Sequence, residues 1–300
     1  MKNILIKHQI ISFFQNLDII GFRKLGNNLP QILLKKPTVP QVIQTLHGFK
    51  LYIDPIRDNG IEKEIYYTGT YEKGTLHVLN HILKSNDVFV DVGANIGLIS
   101  IYAAQKVGSK GIVHAYEANP ETFTIMENNI ELNELHNIIK PLKIAIGASE
   151  GKGLIFDNWE VNRGAETMFQ PKEKSSSHEV AIKPLDSLLR PNSKIKAIKI
   201  DVEGFELEVI KGAKNILNKP NAPILIVEYS EECLTRANQT IQELTELISS
   251  CNKYTFYKLT RKKGRVGQLI EIQSIDQLNN NDNFFCFLKE HTEAYSNLFK

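Results

Sequence analysis

Cysteine is scarce in this chain, and the little there is forms no pattern. Cys233, Cys251 and Cys286 are three in 300 residues, and no pair shares a C-x-x-C spacing. An odd number without ligand spacing argues against a disulfide framework and against a cysteine zinc site. It suits small buried thiols in a reducing compartment. Long apolar runs are missing as well. Ile10-Ile-Ser-Phe-Phe14 is cut short by Gln15, Asn16 and Asp18, well below the roughly 20 residues of a membrane span, and no small-residue cleavage site follows it. We therefore expect no integral membrane segment and a soluble, cytoplasmic protein. Charge of one sign is lacking too. With 36 Lys and Arg against 34 Asp and Glu, the net charge of +2 is too small to make nucleic acid the main partner.

What is present reads as alternating strands and helices. Residues 1–40 are expected to form an N-terminal helical extension with Ile4, Ile10, Ile11, Phe14 and Leu17 on one side, packed on the main domain. Membrane-surface contact through Lys2, Lys7 and Arg23 is the competing reading of that extension. Pro37 and Pro40 end it. Residues 41–300 read as one domain that opens with a hairpin around His47-Gly48. Apolar strands then fall at 88–92, 112–116, 138–146, 195–200 and 224–227, with amphipathic helices between them, and more strands follow at 254–259, 269–272 and 284–288. Strands and helices alternating at this spacing predict an α/β fold with a doubly wound, mostly parallel sheet. A long polar loop between Asp157 and Ser177 interrupts the alternation and is where acceptor contacts are expected. Lys262-Lys-Gly-Arg265 reads as a solvated hairpin turn.

The most informative stretch is Asp91-Val-Gly93-Ala-Asn95-Ile-Gly97, a strand running through a glycine turn into a helix. Such a turn brings backbone close to a ligand and aims unpaired helix amides at it. Glu117 ends the next strand 20 positions after Gly97, where an acid reaches ribose hydroxyls in a nucleotide-binding βαβ unit. The dinucleotide fingerprint G-x-G-x-x-G is not met, because Asn95 replaces its middle glycine and Gly97 comes one residue early. A pyrophosphate is thus poorly served. The Asn95 amide is expected to bond a carboxylate or amine instead, which points to a cofactor with one nucleoside and an amino-acid end. Further acids close later strands: Asp201 and Glu203 after the fourth, Glu228 after the fifth.

The Asp91–Gly97 turn with Glu117, followed by Ile198-Lys-Ile-Asp201-Val-Glu203-Gly-Phe-Glu206, resembles the FkbM family of S-adenosylmethionine-dependent methyltransferases. Tyr71-Glu72, Leu185-Asp186 and Pro223–Glu228 are lesser echoes. The resemblance spans about residues 70–230 and implies the class I methyltransferase fold, a Rossmann-like seven-stranded sheet with antiparallel C-terminal strands. Ala118 departs from the proline the family commonly carries there. The resemblance implies that Asp91, Gly93, Asn95 and Gly97 hold the methionine end of S-adenosyl-L-methionine, with Glu72 on the cofactor side. Glu117 would take the ribose, and Ala145 and Ile146 would line the adenine.

By the same resemblance Asp201, Glu203 and Glu228 stand beside the acceptor, a small molecule or glycan. The implied reaction is methyl transfer to a hydroxyl of a sugar or other polar metabolite. A carboxylate would act as general base, Asp201 first, then Glu203 and Glu228. A divalent ion would be another way to acidify the hydroxyl, but nothing in the sequence fixes a ligand set. The alternatives are an NAD-dependent oxidoreductase and a methyltransferase-like binding module without catalysis.

Overall fold

A computed structural model of the chain describes residues 2–16, 20–157, 166–170, 175–190 and 193–300. Much of the polar loop, at 158–165 and 171–174, lies outside the described residues, as does Leu17. The chain begins with helices α1 (Lys2–Asn16) and α2 (Ile20–Leu33), which pack on each other. Strands β1 (Gln41–Gln44) and β2 (Lys50–Ile53) form the antiparallel hairpin expected around Gly48. Helices α3 (Ile61–Thr68) and α4 (Lys73–Ile82) follow.

The alternating core then runs β3 (Val88–Val92), α5 (Leu98–Val107), β4 (Ile112–Glu117), α6 (Pro120–Leu132) and β5 (Ile139–Lys143). Asn119 starts α6 by accepting from the backbone amides of Glu121 and Thr122, with Pro120 at the first helical position. A short β6 (Ala145–Ile146) joins β7 (Gly151–Phe156) and β8 (Ser177–Lys183) in a separate three-stranded sheet. The alternation resumes with α7 (Leu185–Leu188), β9 (Ile195–Ile200), α8 (Glu206–Lys211), α9 (Lys214–Leu217) and β10 (Ile224–Tyr229). The last elements are α10 (Glu231–Arg236), α11 (Ile241–Cys251), β11 (Thr255–Leu259), β12 (Leu269–Glu271), β13 (Asp282–Phe287) and α12 (Lys289–Ala294).

The main sheet has eight strands in the order β12-β11-β13-β10-β9-β3-β4-β5. Strands β10, β9, β3, β4 and β5 are parallel, whereas β13 runs antiparallel to both β10 and β11. This is the seven-stranded pattern implied by the resemblance plus one edge strand, β12, the hairpin partner of β11.

Side chains alternate faces along a strand, and this decides where the polar residues go. On β3, Phe89 enters the core on one face and Val90 and Val92 the core on the other; on β9, Ala197 and Ile198 divide the same way. Asp91, Glu117, Lys199, Asp201 and Glu228 all fall on the face of Phe89, Ala115, Ala197 and Ile226. Each lies at or near the carboxyl end of its strand, the position where open α/β sheets bind ligands.

Helix α1 seats His8 and Ile11 against this domain. Ile10, expected on the inward side, is 41% exposed instead. The helix buries the face carrying 8 and 11, and at 100° per residue position 10 points away from it. Among the described residues no helix is long and apolar enough to cross a membrane.

Just past the end of β3, Gly93 packs against the backbone that leaves β9. Its φ is +78°, and a Cβ built there would lie 1.8 Å from the Asp201 carbonyl oxygen. Gly93→Ala should therefore lower the unfolding free energy by about 2–4 kcal/mol, from the left-handed backbone and the forced separation of strand ends. Urea denaturation measures it, and a loss below about 0.5 kcal/mol would show that the two strand ends part freely.

Candidate active site

A cavity of about 690 Å³ opens over the carboxyl ends of β3, β4, β9 and β10. The glycine turn forms its floor. The Tyr116 carbonyl accepts from the amides of Gly93 (2.9 Å) and Ala94 (3.0 Å), fixing the turn to the neighbouring strand. Glu117 then holds the turn from above, accepting from Asn95 N at 2.8 Å and Asn119 N at 2.9 Å. Burial pushes its carboxyl up to about 7, against the pull of the backbone hydrogen bonds from Asn119, Asn95 and Ala118.

Asn95 lines the cavity and also shapes the turn itself. It sits at φ +51°, and its Oδ1 accepts from Ile96 N at 2.6 Å. Asparagine tolerates left-handed backbone better than other non-glycine residues, so it substitutes for the missing glycine through its backbone. Glu72 and Glu203 also line the cavity with positive φ, 46° and 52°. Such residues cost on the order of 1–3 kcal/mol each and persist only where the surroundings impose them.

The turn fits the cofactor that the resemblance implies. Asp91 is fully buried, with Oδ2 accepting from Ser100 Oγ at 2.6 Å, while its Oδ1 has no hydrogen-bond partner. An orphaned carboxylate oxygen in the wall of a cavity is what a ligand ammonium would satisfy. With three backbone amides on its two oxygens, Glu117 keeps acceptor capacity for a hydroxyl donor. The opposite end is apolar, with Ala145, Ile146, Ile155 and Met168 in the lining, a surface suited to a flat aromatic base. Gly93 lies against the Asp201 carbonyl and Gly97 against Met126, so both glycines serve the close packing of the turn itself.

The other end is ionic. Asp201, Glu203 and Glu228 each place an oxygen within 4.8 Å of the others. Lys199 Nζ lies 2.7 Å from Asp201 Oδ2. Lys263 Nζ bridges Glu228 and Glu72, 3.2 Å from the latter. The Cys233 thiol donates to Glu203 Oε2 at 2.8 Å. The ammonium groups of two lysines thus neutralise this cluster from within.

Environment separates the three acids. Burial would raise Asp201, but Lys199, a hydrogen bond with Glu228 and Lys263 together hold it well below the usual carboxylate range. Burial and the Asp201 charge push Glu228 far above its usual value, so it carries the proton of that pair. Burial and Asp201 raise Glu203 to about 7, partly opposed by the Cys233 hydrogen bond. Glu206 is not in the cluster. Its Oε1 accepts from Val202 N (3.2 Å) and Gly204 N (3.1 Å) and shapes the turn that presents Glu203.

The structure brings the predicted cofactor and acid residues around one cavity, except Gly97, which packs against Met126, and with one regrouping. Glu72, placed with the cofactor residues, also accepts from Asn283 Nδ2 at 3.0 Å and is tied through Lys263 to Glu228, on the ionic side. Lys199 and Lys263 were missed. The signal for Lys199 was a lysine inside the apolar strand Ile195–Ile200. Lys263 corrects the reading of Lys262–Arg265 as a solvated turn. The turn's neighbours Lys262 and Arg265 are exposed, but the Lys263 side chain is only 15% exposed, because two carboxylates draw it inward.

The profile of the methyltransferase FkbM domain matches residues 91–254, more than half of the chain. Methyltransferase sdnD of Sordaria araneosa is 29% identical over 203 residues, covering 58% of this chain and 75% of that protein. Hexuronic acid methyltransferase AglP of Haloferax volcanii is 28% identical over 196 residues, covering 61% of this chain and 70% of that protein. A solved FkbM methyltransferase from Methylobacillus flagellatus superposes with a TM-score of 0.44 at 13% identity, over 75% of this chain and 52% of that one. The family match disposes of the oxidoreductase alternative: this chain belongs to the FkbM methyltransferase family, enzymes of the class I fold whose methyl donor is S-adenosylmethionine.

Proposed function

We propose that the enzyme methylates a hydroxyl of a sugar, glycan or other polar metabolite. The observation that carries this reading is the Asp201, Glu203 and Glu228 cluster sharing one cavity with the glycine turn. A protonated alcohol is a weak nucleophile, so a hydroxyl acceptor calls for a base within reach. A carboxylate acceptor has no such need. The lining of the acceptor end also counts five carboxylates, Glu64, Glu72, Asp201, Glu203 and Glu228, against Lys63, Lys199 and Lys263. With Glu228 protonated and the lysines offsetting the remaining acids, this end offers both hydrogen-bond donors and acceptors to a polar acceptor. The relative named as a hexuronic acid methyltransferase supports a sugar-type acceptor.

In this reading the bound donor supplies a methyl already activated by its sulfonium, and the chain's work is alignment and proton transfer. Asp91 receives the donor's ammonium and Glu117 its ribose hydroxyls. Ala145 and Ile146 flank the base, and Gly93 and Gly97 let the turn pack closely. We assign the general base to Glu203 rather than Asp201. Asp201 has its charge stabilised by Lys199 and takes a proton poorly, and Glu228 already holds one. Glu203, near 7, is matched to neutral pH. Asp201 and Glu228 then fix the direction of the acceptor hydroxyl.

Glu203→Gln should lower kcat by about 10²–10⁴ with cofactor affinity unchanged. A base must be deprotonated to act, so the wild-type rate should climb with pH and level off above about 7, and the variant should lack that limb. A wild-type rate in Glu203→Gln alongside an inactive Asp201→Asn would return the role to Asp201. Glu117→Ala should weaken S-adenosylhomocysteine binding at least about tenfold, or about 1.4 kcal/mol, by calorimetry. Equal affinity would refute the ribose assignment. Among neutral sugars, amino sugars and uronic acids, the label from a radiolabelled methyl donor should appear on hydroxyls. Its appearance only on carboxylates would overturn the hydroxyl reading.

A further inference from the structure

Half of the large apolar side chains that the described residues leave exposed belong to the first 39 positions. Ile6, Ile10, Phe13, Leu25, Ile32 and Val39 are six of the twelve exposed large apolar side chains, and each is more than 40% exposed. Three of them, Ile6, Ile10 and Phe13, recur at i, i+4 and i+7, which makes one stripe along α1. The opposite face of the same helix seats His8 and Ile11 in the domain core. Helix α1 is therefore apolar on both faces.

Charge is unevenly distributed as well. Residues 1–36 carry Lys2, Lys7, Arg23, Lys24, Lys35 and Lys36 against Asp18 alone. That segment is +5, so the other 264 residues sum to −3. An exposed apolar stripe within a basic, nearly acid-free segment complements a surface that is negative outside and apolar beneath. A second copy of the chain would bring the same positive charge to the contact and be repelled.

We propose that the α1–α2 hairpin is a monotopic anchor that lays Ile6, Ile10 and Phe13 into an anionic lipid bilayer. The hairpin is joined to the active site by short polar contacts. His8 Nε2 meets the Tyr66 carbonyl on α3 at 2.7 Å, and Gln15 Oε1 accepts from Lys73 Nζ at 3.2 Å, next to Glu72. Lys63, Glu64 and Tyr67 of α3 line the cavity. Docking through α1 holds the cavity one helix away from the lipid, whatever the acceptor is.

Co-sedimentation of the full chain with vesicles tests this. Vesicles of phosphatidylcholine alone are compared with vesicles containing one quarter phosphatidylglycerol, at low and high sodium chloride. The chain should pellet with the anionic vesicles at low salt, and high salt or neutral lipid should reduce binding at least about fivefold. The double substitution Ile10→Glu with Phe13→Glu should reduce it at least about tenfold. Both sites are exposed, so circular dichroism, thermal midpoint and S-adenosylhomocysteine affinity should match wild type. Absence of pelleting with anionic vesicles, or equal pelleting of the variant, overturns the anchor. A dimer in size exclusion that the double substitution dissolves, without vesicle binding, assigns the stripe to a second copy and overturns it equally.

Discussion

Lys199 lies near the carboxyl end of a largely apolar parallel strand, 3% exposed, with Asp201 2.7 Å from its ammonium and Asp91 opposite it in the ladder. An isolated ammonium in such a place loses several kcal/mol of hydration and would shed its proton. Here burial does favour the neutral form, but Asp201, Glu72 and Asp91 outweigh it and keep the lysine charged. The dependence runs both ways. Without the lysine, Asp91 and Asp201 would be two buried acids at adjoining strand ends with like charges facing each other, and at least one would hold a proton. Lys263, kept charged by Glu72 and Glu228, bridges those two groups from the far end of the chain. These two ammonium groups keep Asp201 ionised, and burial together with that charge raises Glu228 and Glu203.

Much of this could be read from residues 87–119 and 195–228. Strand periodicity puts Asp91, Glu117, Asp201 and Glu228 at carboxyl ends, and the order of elements predicts that those ends adjoin. The cap Asn119-Pro120 and the hairpin at Gly48 follow from local chemistry alone. What escaped has physical reasons. Asn95 offers a polar side chain, so its amide drew attention and the backbone conformation that the turn uses did not. Lys263 sits in a loop whose composition is that of any solvated turn. Nothing local distinguishes it from Lys262, because its partners Glu72 and Glu228 are remote in sequence. Ile10 was misassigned for a related reason: a helix apolar on two faces has no single side for periodicity to find.

The cavity joins two environments that a single chain segment would not supply. Its apolar end is built from the small sheet of β6, β7 and β8, and its ionic end from the carboxyl edge of the large sheet. Left-handed residues mark the seams. Glu72, Asn95 and Glu203 each hold positive φ where a loop leaves one element and turns into the lining of the cavity. Gly204, at φ +103°, lets the Glu203 turn press against α10, since a Cβ there would come within 2.7 Å of the Cys233 carbonyl. Cys233 can then reach Glu203 with its thiol. Its burial and the neighbouring carboxylate keep that thiol protonated, so it donates a hydrogen bond and is no nucleophile.

The bridge from Glu72 through Lys263 to Glu228 has a consequence for how the molecule is made. During synthesis the glycine turn and Glu117 leave the ribosome early, along with the strands that support them. Lys263 follows almost two hundred residues after Glu72. Until it arrives, the nascent chain has a cofactor cradle and an acidic mouth served by Lys199 alone. A growing polypeptide can thus acquire its donor pocket before its acceptor pocket, and the last hairpin to emerge is the one that completes the enzyme.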